Sequence, residues 1–442
     1  MDSFYEYLKS IGIKSESDIF NVFKKLKDTE IIDIALNCYK LTETRPNLNN
    51  GSFFNFTAST SISGGVFPCS AIDCRLRNVY ELSVFAALYA DKILIPNYFE
   101  YMHNFSGNFK SKEHFIKFIN ILIGDLILML NLKPLINEGI VCINPRTRYY
   151  CDNCLKEQLT QEKDIDKIFK KIENKVSSNV IKNVTFTLDF SGTIITSGGK
   201  DYLSTETLKF IKLPQSLKKY IKKSPHTFSA REVKNLKLYE PFVNPALDDL
   251  IFQKYLMLKH DVVYLTNRRF EADLINILET DTEKETLGKV ILEGLSHELP
   301  FVRNADISKL LKIRKNENSA FISYRDALKN TLIEVSSEKN VRKIKKIMRD
   351  NVIPEVNKID RIIKTHKDDL GIKIKGKVLF NGMIITSGLF AKTFFGLDIP
   401  NIITVALGGI FTVKDIFPDL LSSLTIPIEA KRNNFYFLWK LK

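Results

Sequence analysis

The chain has few of the features that announce a function. Its six cysteines are too sparse across 442 residues to form a disulfide framework. The opening residues MDSFYEYLKS mix polar and aromatic side chains and lack a basic stretch ahead of an apolar one, so no secretory leader is expected. Together these point to a reducing cytoplasm. The six histidines are scattered: no HExxH occurs, and no histidine joins a cysteine at metal-ligand spacing. GxSxG is missing as well, so a serine-hydrolase elbow is excluded. Ser191-Gly-Thr-Ile-Ile-Thr-Ser-Gly-Gly-Lys200 ends like a phosphate loop, but Asp201 follows the lysine and the spacing is wrong. No repeat of solenoid length is found. The apolar runs at 119–132, 378–391 and 399–413 each fall short of the roughly 18–20 residues that span a bilayer.

What is present suits a folded protein with negatively charged partners. Hydrophobic residues make up 44% and charged residues 26%, the balance of a globular chain able to build two or three cores. The net charge of +14 favours nucleic acid, anionic lipid or an acidic protein. Lysine spread evenly over a surface gives the same sum without binding anything.

Helical periodicity covers residues 1–45, Val79–Ala90 and Ser111–Leu132, the last with Ser111 as N-cap and an apolar second half that reads as a core helix. Gly139 is placed to cap a helix-to-strand turn. Thr42–Gly65 reads as a long polar loop, and Gly64-Gly65 as a loop feature. Ile93–Ile95 is a short buried strand, and Ser191-Gly192 joins a β-hairpin. Residues 200–300 are broken by prolines at 214, 225, 241 and 245. From Asp306 the pattern becomes long and helical, with Ser336-Ser337 joining two helices and Pro354 kinking the second. The expected fold is mainly α with minor β (α+β). A helical region with cysteine pairs covers 1–155, a mixed α/β region 156–300, and a helical domain 301–442.

The cysteines offer one metal hypothesis. Cys151-Asp-Asn-Cys154 is a C-x-x-C and Cys69-Ser-Ala-Ile-Asp-Cys74 a C-x4-C, two close pairs able to complete a tetrahedral structural zinc site. The competing reading is four free or buried thiols. Cys38 and Cys142 sit in apolar surroundings and read as core.

Three further elements bear on partners. Arg342, Lys343, Lys345 and Lys346 alternate with apolar residues, which makes one charged helix face, either merely solvated or facing phosphate or lipid. Asp419, Glu429 and Lys431 match the letters of a Mg²⁺-dependent PD-(D/E)xK nuclease. Pro427 and the short remaining tail argue against that context. Val378–Val413 forms two apolar arms around a turn. Gly382, Gly388, Gly408 and Gly409 permit close helix approach, and Lys392 and Asp398 are the charges within the segment. It reads either as a buried helical hairpin or as an element that mediates oligomerisation or enters a membrane.

Several phrases stand together: Cys74-Arg75 before Leu88-Tyr-Ala-Asp-Lys-Ile93, Pro134-Leu-Ile-Asn-Glu-Gly-Ile-Val141, Leu310-Leu-Lys-Ile-Arg314, and Asn434-Phe-Tyr-Phe-Leu-Trp439. In these the chain resembles uncharacterised bacterial proteins associated with mobile or anti-phage islands, a likeness that carries no catalytic residue with it. The resulting expectation is a non-enzymatic effector or assembly component of bacterial defence. It would be cytoplasmic or recruited to the inner membrane, and would work through self-association or a partner protein. A basic nucleic-acid-binding protein and the Mg²⁺-dependent nuclease are the alternatives.

Overall fold

The computed structural model describes residues 1–43, 55–66, 70–103 and 111–144, then 181–190, 225–240, 262–267 and 306–335, with shorter pieces elsewhere up to residue 407. Among the described residues the protein is mainly helical with minor strand content, in the α+β class.

Three helices open the chain: α1 (Asp2–Ser10), α2 (Glu16–Phe23) and α3 (Asp28–Thr42). At the start of α2 the Asp18 carboxylate accepts from the Ser15 N–H at 2.8 Å, satisfying a donor that the helix leaves open. Strand β1 (Asn55–Ala58) leads to α4 (Ile72–Tyr89) and β2 (Lys92–Pro96). Helix α5 (Lys112–Asn137) and β3 (Val141–Asn144) follow. Ser111 caps α5 as its sequence suggests, accepting from the His114 N–H at 3.3 Å. Gly139 ends the turn after it at φ +69°, a backbone geometry glycine adopts without cost.

The β-rich middle contains β4 (Thr185–Leu188), β5 (Thr193–Ser197), β6 (Lys209–Lys212) and β7 (His226–Thr227), an antiparallel sheet in the order β6-β5-β4-β7. The hairpin expected around Ser191-Gly192 is its β4–β5 pair. The short helix α6 (Ala230–Asn235) follows, then β8 (Val263–Thr266) and β9 (Pro300–Phe301). Helices α7 (Ile307–Asn316) and α8 (Asn318–Val335) replace the single first run expected there, with the break at Glu317. Strands β10 (Val378–Leu379), β11 (Met383–Thr386) and β12 (Thr404–Leu407) are last.

The principal sheet has the order β12-β11-β8-β1-β2-β3. β8, β1, β2 and β3 are parallel, while β11 and β12 are antiparallel at one edge. Two readings are corrected by it. Thr42–Gly65 is not simply a loop, because β1 lies at the sheet's centre. Its alternation of polar and apolar residues serves two faces: Phe56 packs edge-on against Phe85 of α4, and Thr57 donates to Gln253 on the other side. The arms of 378–413 contain paired strands rather than helices where they are described. Ile384, Ile385, Thr404 and Val405 are β-branched and favour the pleat, and nearby glycines weaken helix.

The core lies where α4, α5 and the sheet meet α1–α3 and α7. Phe4, Leu82, Leu122, Leu126, Leu132 and Leu310 are fully buried there. α5, at 26 residues, is long and apolar enough to cross a membrane by length and composition, which its apolar half read alone was not. In the fold it occupies the core position expected of it.

Candidate functional site

The strand order defines where a site can form. From β1 the chain steps outward in one direction, to β2 and then β3. It later returns to place β8 on the opposite side of β1. The order in which strands are added therefore reverses between the parallel neighbours β1 and β8, and in open α/β sheets ligands bind outside the strands' carboxyl ends at such a point.

The residues leaving β1 are Ser59-Thr-Ser-Ile-Ser-Gly-Gly65. The Ser59 N–H first extends the ladder by donating to Leu265 O at 2.8 Å. The chain then coils back on itself: Ser63 N–H donates to Ser59 O and Gly65 N–H to Thr60 O, at 3.0 and 2.7 Å. Gly64 has φ +81°, and a Cβ there would lie 2.5 Å from Val79 Cγ2. Only glycine allows the loop to rest against α4 in this way. Several loop amides are thus bonded internally, so the side chains carry its chemistry.

Those side chains form a buried polar cluster with the end of β8. Ser59 Oγ lies 2.8 Å from Ser61 Oγ and donates to Thr266 Oγ1 at 3.2 Å. Ser61 Oγ donates to Asn267 Oδ1 at 2.9 Å. Glu271 accepts from the hydroxyls of Thr266 and Tyr264. Asn78 of α4 donates to Ser61 O at 2.9 Å. On the far face Asp249 accepts from Thr60 N–H at 3.1 Å, and Gln253 donates to Ala58 O at 3.1 Å. Ser59, Ser61, Thr266, Asn267, Glu271, Asp249 and Gln253 are all buried. Burying this many polar groups costs stability unless each is bonded, and the network supplies the bonds.

An ion pair inside the core holds the loop from behind. Arg75 of α4 donates through Nε to Gly64 O and through a terminal nitrogen to Asp125 of α5. Both side chains are 2% exposed or less. A Cβ at Gly124 would lie 2.8 Å from an Arg75 nitrogen, so the glycine makes room for the guanidinium. Burial pushes the Asp125 carboxyl up to about 6, against the opposing pull of Arg75. Tyr98 donates to Ser63 O.

Further along the same edge, Asn144 ends β3 paired with Pro96, and Asn97 follows β2. Asn97 Oδ1 accepts from Phe99 N–H at 3.0 Å, which fixes its amide orientation. Its Nδ2 and both polar atoms of Asn144 are buried without a hydrogen-bond partner among the described residues.

Few of the sequence candidates fall within the described residues. Cys74 lies on α4, partly exposed, its sulfur accepting from Arg77 at 3.6 Å. Cys69, Cys151 and Cys154 lie outside the described residues, and among the described residues no group of three or more His, Cys, Asp or Glu is placed to hold a metal. Lys343 and Lys346 are helical and exposed, and Ile347 is packed against the core. Arg342, Lys345, Gly382, Gly388, Lys392, Asp398, Gly408, Gly409, Asp419, Glu429 and Lys431 lie outside the described residues. Sequence reading missed Ser59, Ser61, Asp249, Thr266, Asn267 and Glu271. The available signal was the run of small hydroxyl residues and two glycines between a strand and the helix that begins at Ile72. No protein-family description, curated protein or solved structure matches this chain.

Proposed function

We propose that the chain binds a small molecule of the nucleotide class, a sugar phosphate bearing a base or related group, at the carboxyl ends of β1 and β8. The buried cluster of Ser61, Asn267 and Glu271 at the reversal of strand order carries the reading. Carboxylate and amide oxygens accept from the vicinal hydroxyls of a sugar, and serine hydroxyls serve as donor or acceptor. The net charge of +14 favours a phosphorylated ligand over a neutral one. Isothermal titration of the full chain with AMP tests the reading. Binding is expected, weakened roughly tenfold or more by Glu271→Gln and by Asn267→Ala, about 1.4 kcal/mol or more. Absence of binding to AMP and to ribose 5-phosphate alike would sink it.

A second reading keeps the bacterial effector acting at a membrane through oligomerisation or through Val378–Val413. The length and apolar composition of α5 favour it. Its test is leakage from anionic liposomes by the full chain and by a chain ending before Val378. Leakage lost on truncation supports it, and no leakage by either removes it. Zinc on Cys69, Cys74, Cys151 and Cys154 stands beside both readings, and metal analysis of the purified protein decides it.

A further inference from the structure

We propose that Asn144 forms the far half of the ligand site and recognises a planar edge carrying a hydrogen-bond donor next to an acceptor, as a nucleobase or a carboxamide does. The inference rests on the nucleotide-class reading and adds to it the part of the ligand that gives specificity.

Three observations meet at Asn144. It is the last residue of β3, so it stands at the same carboxyl edge as Ser59 and Thr266. The register Thr57↔Leu94 and Leu94↔Cys142, with side chains alternating along each strand, puts Asn144 on the sheet face shared by Thr57 and Tyr264. Its side chain is fully buried, yet neither Oδ1 nor Nδ2 has a partner among the described residues. Such a carboxamide offers two donors and an acceptor in one plane, a pattern that pairs in bidentate fashion with an amide-like edge. Buried orphan groups call for a partner that binds there.

At ~4.8 Å between strands, the midpoint of β1 and β8 lies about 12 Å from β3, so a ligand engaging both ends must reach across β2. The polar cluster would take the sugar and Asn144 the planar group.

Titration of the full chain with three probes separates the outcomes. AMP carries a nucleobase edge, nicotinamide mononucleotide a carboxamide, and ribose 5-phosphate neither. One of the first two is expected to bind at least tenfold more tightly than ribose 5-phosphate, and which one does so names the source of the edge. Asn144→Ala should reduce that ratio to within about threefold while leaving ribose 5-phosphate unchanged. The isosteric Asn144→Asp should lose it too, and guards against a folding defect in the alanine variant. Glu271→Gln should weaken all three probes together. If both Asn144 variants keep the wild-type ratio, Asn144 holds only structural water and the inference is overturned while the nucleotide reading stands. If wild type binds none of the probes, both fall.

Discussion

At the scale of single residues, the buried pair Arg75–Asp125 shows how position decides what a charge does. In water such a pair contributes little. Here both groups lie in the core, and the guanidinium also holds the Gly64 carbonyl. Arg75→Ala removes the guanidinium from both the Gly64 carbonyl and the Asp125 carboxylate, which is then stranded in a low-dielectric setting. Urea denaturation at pH 7 should show a loss of about 3–5 kcal/mol, with the serine loop losing its rear support. The pH dependence has a definite sign. Asp125 takes up a proton at about 6 in the folded state, above the ordinary 3.8 of the unfolded chain. Its contribution to stability is therefore greatest below pH 3.8 and declines as pH rises to about 6. Unfolding of wild type and Asp125→Asn at pH 4 and pH 7 reads this as a difference of differences, in which the other carboxylates cancel. A wild-type advantage that grows toward pH 7 would refute the assignment.

At the scale of elements, α4 is fixed at both ends. Its first turn carries Arg75 toward the loop. Its last carbonyls, left open by the helix, are taken by Arg314 of α7, which donates to Ala86 O, Ala87 O and Ala90 O at 3.0, 3.1 and 2.8 Å. The same guanidinium lies 3.6 Å from Asp91. Arg314→Ala removes these charge-assisted bonds, and a drop of about 1.5–3 kcal/mol is expected in chemical denaturation. Arg314→Lys should recover only part of it, since the ammonium keeps the charge but has no second terminal nitrogen to face Asp91. The strongly periodic elements could be read from sequence: α5 with its Ser111 cap, the Gly139 turn and the β4–β5 hairpin all follow from local chemistry. β1 could not. Its Asn55 and Thr57 resemble loop residues until Gln253 is placed behind them, and that neighbour comes from far along the chain. The strands of the C-terminal arms were hidden for a related reason, because short apolar runs look alike as helix or strand until something pairs with them.

At the scale of the whole molecule, one sheet gathers strands from near residue 55 to residue 407. Periodicity gave the balance of mainly helix with minor strand, but it had no access to strand order, and the proposed site exists only because of that order. Each half of the site is unremarkable alone: a hydroxyl-rich turn after β1, and a short polar segment after β8. The bond from Ser59 to Thr266 joins groups 207 positions apart. That separation has a consequence for how the protein comes into being. Closing so large a loop is entropically costly and slow compared with forming the helices around it. A chain emerging from the ribosome can therefore assemble α1 to α5 on β1, β2 and β3 long before β8 exists. For that interval the edge of β1 waits without its neighbour, exposed to incorrect pairing. On the proposed reading the site is completed in a single late step, and an amino-terminal fragment that stops short of Glu271 should not bind the ligand.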